Sequence, residues 1–128
     1  MTVRMAFSLD DSPASPAEMI PWILQHLEQS EVRSNIEKVR EFNMSDWAFD
    51  VANAVGCGHQ VTAQDTVAFC LWLAAAQLDD YCEAMWTAAR VGGDIDTTCA
   101  IVGGIVSLNV GREGIPDEWQ KRRESLKW

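Results

Sequence analysis

Apolar residues recur along this chain every three or four positions, the spacing of helices that pack by one face. Ser15-Pro16-Ala17-Glu18 has the form of a capping box with proline at the first helical position. It leads into Met19, Ile20, Ile23, Leu24 and Leu27. Pro21 interrupts that face, and its missing N–H argues for a later start to the helix. Val32, Ile36 and Val39 mark a second amphipathic helix that ends near Asn43. Ser45 is placed to cap a third, with Trp47, Val51 and Val55 on one side.

Gly56-Cys57-Gly58 then breaks the pattern, which predicts a tight loop. Thr62 and Asp65 have the form of another cap, opening a strongly apolar helix from about Thr66 to Ala76. Asp80 and Glu83 frame the start of a helix that runs to Arg90, and Gly92-Gly93 ends it. Thr97 to Val110 is apolar on nearly all sides and reads as a buried central helix. Gly103-Gly104 in its middle would let a neighbouring helix come close. Pro116 starts a last polar helix bearing Trp119. With no period-2 strand, repeat or long linker, the pattern predicts an all-α compact helical bundle, one domain over residues 1–128.

Composition narrows the classes of function. A hydrophobic content of 48% suits a folded chain, and a net charge of −9 disfavours nucleic acid as a partner. An acidic balance fits a protein that gathers carboxylates around a cation. Cys57, Cys70, Cys82 and Cys99 show no CxxC spacing and read as small buried hydrophobes. The first residues, MTVRMAFSLDDSP, lack a signal-peptide core, and the apolar run Cys99–Val106 is too short to span a bilayer. The expectation is a cytoplasmic protein with no membrane partner.

The chemistry concentrates in VGGDIDTT, residues 91–98. Asp94, Asp96 and Thr97 offer two carboxylates and a hydroxyl, hard oxygen donors of the kind that suit Mg²⁺ or Mn²⁺. An ordinary capped helix explains them as well, since acids at a helix N-terminus gain about 0.3–1 kcal/mol from the dipole. On spacing alone the two readings stand level. An EF-hand loop counted from Asp94 would need Gly and Glu where Cys99 and Ile105 stand. Asp94, Asp96 and Thr98 also match the D-x-D-x-T of haloacid dehalogenase-type enzymes, whose motif follows a strand rather than a helix. Asp79, Asp80 and Glu83 resemble the D-D-x-x-E of isoprenoid synthases, but a cap at Asp80 accounts for them better. His59 and His26 read as exposed, and the six tryptophans read as core residues first.

The run VGGDIDTTCAIVGGIVSLNVGREGIPDEW resembles the C-terminal signature of the ADP-ribosylglycohydrolase family, and VGCGHQVTAQDTVAFCLWL resembles its upstream Gly-x-Gly turn and helix. The matching residues are Gly92, Gly93, Asp94, Asp96, Thr97, Gly103, Gly104, Ile115, Pro116 and Trp119, and the resemblance covers about 51–126. It implies an all-α fold around a pair of Mg²⁺ ions, with Mn²⁺ as a substitute. Asp94, Asp96 and Thr97 would be metal ligands, with Gly92 and Gly93 admitting metals and ribose, and Gly56, Gly58 and His59 near the nucleotide. The implied reaction hydrolyses the glycosidic bond between ADP-ribose and an acceptor on a protein or small molecule.

Ile95 stands where the family carries Thr or Ser, at a position that need not touch metal. Family members are also longer, by an N-terminal part that brings a Ser/Thr-Asp-Asp cluster and the acidic general base. Ser8-Leu9-Asp10-Asp11-Ser12 does not have the spacing to replace that cluster. The resemblance therefore implies a partial domain, the C-terminal half of the fold: a fragment, one piece of a split enzyme, or a remnant. Completion by a missing N-terminal half or by a homo-oligomer would restore activity. A non-catalytic binding or structural module is the alternative.

Overall fold

A computed structural model describes residues 15–125. Seven α-helices occur among them: α1 (Pro16–His26), α2 (Glu31–Val39), α3 (Ala48–Val55), α4 (Ala63–Ala76), α5 (Tyr81–Val91), α6 (Ile95–Val110) and α7 (Asp117–Lys121). A 3₁₀ turn, Arg112–Gly114, joins the last two. There is no strand among the described residues, and no described helix is long and apolar enough to cross a membrane.

α1 starts where its capping box predicts. Glu18 reaches back to accept the Ser15 N–H at 3.1 Å, and the helix continues through Pro21. One lost hydrogen bond is outweighed by burial of Met19, Ile20 and Leu24 on the inner face, so proline does not delay the start. Arg33 of α2 donates to the carbonyls of Leu24 and Leu27, satisfying the end of α1, and pairs with Glu37 at 2.9 Å. α2 stops at Val39, short of Asn43, because the chain tightens into i→i+3 turns through Phe42. Ser45 does not cap α3. Trp47 holds that position without a side-chain bond, 68% exposed, with its ring centroid 5.2 Å from that of Phe49.

The central helix is α4, not α6. α4 touches α1, α2, α3, α5 and α6, and it buries Thr66, Ala68, Phe69, Cys70, Trp72, Leu73, Ala74 and Ala75 around its whole circumference. On α6 only Thr98, Val102, Gly103 and Val106 are buried, one stripe facing α5 and α4. Its opposite side leaves Ala100, Gly104 and Leu108 exposed. Both segments are apolar on all sides, so periodicity could not tell them apart.

The glycine pair of α6 divides accordingly. A Cβ on Gly103 would lie 3.1 Å from Met85 Sδ and 3.2 Å from Tyr81 Oη, whereas one on Gly104 meets nothing within 4 Å. Gly103 alone makes the close approach to α5. Gly103→Leu is expected to cost ~1–3 kcal/mol by overpacking. Gly104→Ala should instead gain ~0.5–1 kcal/mol from helix propensity. Paired urea melts check this, and a larger loss at Gly104 would mean that the wrong face had been assigned.

Cys57 and Cys70 are buried and Cys82 and Cys99 half-buried, all four as free thiols. Burial pushes the Cys70 thiol up to about 12, so it behaves as a core hydrophobe at any ordinary pH. The tryptophans fit the core expectation less well. Trp72 is enclosed, while Trp47 and Trp86 are more than half exposed.

Candidate functional site

Two loops that are distant in sequence meet at the N-terminal end of α6. α5 ends at Gly92, which has φ +87°, and Gly93 follows with φ +73°. Both values lie in the region that side chains avoid. The reversal brings Asp94 N–H to the carbonyl of Cys57 at 3.3 Å. A Cβ on Gly93 would sit 2.1 Å from that same oxygen, and one on Gly58 would sit 2.7 Å from Asp94 Cβ. The glycines at 58 and 93 are therefore the contact between the loops, each filling the space a side chain would occupy in the other. Gly92 differs, since a Cβ there meets nothing within 4 Å and its side faces open space.

Asp65 holds the first loop in shape. Its Oδ2 accepts from Gln60 N–H at 2.7 Å and its carbonyl accepts from Gly58 N–H at 2.8 Å. Its carboxylate also fills the space where a Cβ on Gly56 would go, 1.9 Å from Oδ1. By its spacing Asp65 pairs with Thr62 as a cap. Thr62 is the N-cap residue of α4, but its side chain makes no capping bond. The signal for the other role is an acid in the first turn of the helix that follows the Gly-x-Gly turn. At the loop tip Val61 has φ +54° and is 78% exposed, a strained conformation for a β-branched residue. His59 is exposed beside it. Burial, followed by the Asp65 charge, raises the pKa of the Cys57 thiol between the two glycines.

Asp94 is the N-cap of α6, and its Oδ1 accepts the Thr97 N–H at 3.4 Å while its carbonyl accepts from Thr98 N–H at 2.9 Å. It is half-buried, whereas Asp96 and Thr97 are exposed in the first turn. Residues i and i+2 do not share a helix face, so Asp94 and Asp96 can act together only over the open end of the helix. From the cap position Asp94 lies at that end. Asp96 also stands on the side of Cys99, whose thiol is raised first by burial and then by the Asp96 charge.

The three oxygen-bearing side chains thus occupy one helix end beside the 56–60 loop. Two carboxylates and a hydroxyl are a suitable donor set for part of a Mg²⁺ shell, an ion that keeps several of its waters. Among the described residues no three His, Cys, Asp or Glu gather closely enough to form a cage. The acids Asp10 and Asp11 lie outside the described residues. Cavities of about 240 and 450 Å³ lie elsewhere, lined by neither Asp94, Asp96 nor Thr97. The rival D-D-x-x-E acids have structural partners: Asp79 accepts from Asn109 at 2.8 Å, Asp80 caps Glu83 N–H at 2.9 Å, and Glu83 pairs with Arg90 at 3.2 Å.

A family model described as ADP-ribosylglycohydrolase matches residues 1–128, upstream of the motifs as well as across them. No curated protein and no solved structure matches the chain.

Proposed function

Since the chain belongs to the ADP-ribosylglycohydrolase family, we propose that it serves Mg²⁺-dependent hydrolysis of the glycosidic bond between ADP-ribose and an acceptor. The acceptor is carried by a protein or a small molecule, in the cytoplasm. The observation that supports this reading is the interlock of the two loops, in which Gly58 packs against Asp94 and the Cys57 carbonyl meets Gly93 and Asp94. Gly56 and His59 belong to the first loop, and Gly92, Asp96 and Thr97 to the second segment.

In this reading Asp94, Asp96 and Thr97 would hold metal, with Mn²⁺ able to replace Mg²⁺. The bound ions would orient ribose hydroxyls and water and stabilise developing charge. The chain's own part is positional. The Asp94 N–H to Cys57 carbonyl bond fixes the carboxylate-bearing turn against the 56–60 loop. The open side of Gly92 leaves backbone accessible to a sugar, and the two carboxylates offset the positive end of the α6 dipole, which would otherwise repel a cation. In this reading the general base comes from a further segment or a second copy, and the side of α6 bearing Ala100, Gly104 and Leu108 is exposed. The alternative of a non-catalytic module draws on the same shortage of ligands.

Calorimetric titration with ADP-ribose tests the reading. Binding is expected to be weak, to require Mg²⁺ and to be lost in Asp96→Asn, with release of ADP-ribose from modified arginine or serine peptides near background. Binding indifferent both to Mg²⁺ and to Asp96→Asn would defeat the proposal. Clear turnover by the chain alone, abolished in Asp96→Asn, would keep the function but show that the site is complete.

A further inference from the structure

At the other end of α6 lies a cavity of about 450 Å³, lined by Tyr81, Arg112, Ile115, Trp119, Gln120 and Arg123. α6 has 16 residues, so its two ends are ~24 Å apart at 1.5 Å per residue. This cavity is therefore separate from the turn bearing Asp94 and Asp96. Its composition is unusual for a chain of net charge −9: Arg112, Lys121, Arg122 and Arg123 cluster in this short segment. Glu113, Asp117 and Glu118 belong to the same segment but do not line the cavity.

The arginine at its mouth is held in place. Arg112 Nε donates to Gln120 Oε1 at 2.7 Å, while Gln120 Nε2 donates to the carbonyls of Arg112 at 2.9 Å and Ile115 at 2.7 Å. One amide thus fixes both the 3₁₀ turn and the guanidinium, which among the described residues is bonded through Nε alone. Among the described residues Arg123 has no ion-pair partner. Beside them Trp119 meets Tyr81 at 63° and Trp86 at 75°, with centroids 6.1 and 6.2 Å apart. Both pairs are T-shaped, so neither neighbouring ring is parallel to the indole.

Two arginines with unspent donors next to aromatic rings match a ligand that joins an anion to a flat ring. Guanidinium groups recognise phosphate oxygens through paired N–H donors, and indole rings take nucleobases by stacking. We propose that this cavity is a second ligand site, for a nucleotide, with the phosphate on Arg112 and Arg123 and the base against Trp119 and Tyr81. Because it shares no residue with the α6 N-terminal turn, it stands independently of the function proposed above.

The test is titration of the full chain with AMP at low salt, followed by ¹H–¹⁵N NMR, with adenosine and inorganic phosphate as separate arms. Saturable shifts are expected at Tyr81 and across Arg112–Arg123. Arg123→Gln, which breaks no ion pair among the described residues, should weaken AMP about tenfold, the equivalent of one charge-assisted contact. Adenosine and phosphate alone should each bind far more weakly than AMP, and the shifts at Tyr81 and Arg112–Arg123 should persist when Mg²⁺ is withheld. The proposal is overturned by absence of saturable shifts, by an Arg112→Gln/Arg123→Gln variant that binds as well as the native chain, or by shifts confined to 94–97 that vanish in Asp96→Asn.

Discussion

Alanine at position 93 should lower the stability of the fold by ~2–5 kcal/mol, a left-handed backbone penalty plus overpacking. At φ +73° an L-residue is already strained, and the added Cβ would lie 2.1 Å from the Cys57 carbonyl oxygen. That overlap cannot be relieved by a rotamer, because the obstacle is backbone. The 92–94 turn would have to retreat, breaking the Asp94 N–H to Cys57 carbonyl bond. Gly92→Ala is the control: it has a similar φ of +87° but open space beside it. Its cost should be the backbone penalty alone, ~1–2 kcal/mol. Urea denaturation of the pair measures the difference. Equal losses would mean that the two loops do not interlock.

Phe69→Ala should cost ~3–5 kcal/mol, the range for emptying a fully enclosed aromatic site. Phe69 is inaccessible to solvent at the middle of α4, with its ring stacked at 25° on that of Trp72. The comparison is Leu108→Ala on α6, where the side chain is 42% exposed and the loss should stay within about 0.5 kcal/mol. Thermal or urea unfolding decides between them. If Leu108→Ala were the more damaging, α6 would be the core helix after all.

That contrast marks how far the sequence could be read. Capping and periodicity place α1, α5 and α6 to within a few residues, because Ser15-Glu18, Asp80-Glu83 and Gly92 act locally. They could not rank α4 above α6, since burial depends on which elements surround a helix rather than on its own composition. Ser45 failed as a cap and Trp47 turned outward for a similar reason: each obeys a local rule that the packing of the 40–48 segment overrides.

The candidate site was legible as a set of residues but not as an arrangement. Asp94, Asp96 and Thr97 stood out by type and order. Their glycines suggested room for a ligand, whereas at 58 and 93 that room is taken by the opposing loop. Contact between Cys57 and Gly93 is non-local, so no window of sequence could reveal it. Asp65, which ties Gly58 and Gln60 together, looked like half of a cap because helix starts and turn braces use the same residue type.

The central proposal is that the first turn of α6 would hold a cation beside the 56–60 loop. Paramagnetic broadening of backbone amides by Mn²⁺ tests it most directly, since it detects weak binding and reports distance. Trace Mn²⁺ added to the ¹⁵N-labelled chain should broaden residues 94–97 and 57–59 together, before any other acidic stretch, and excess Mg²⁺ should reverse the effect. Asp96→Asn should remove it while leaving the native spectrum intact. Broadening that begins at Asp79 and Asp80, or that affects 94–97 without 57–59, would contradict the claim.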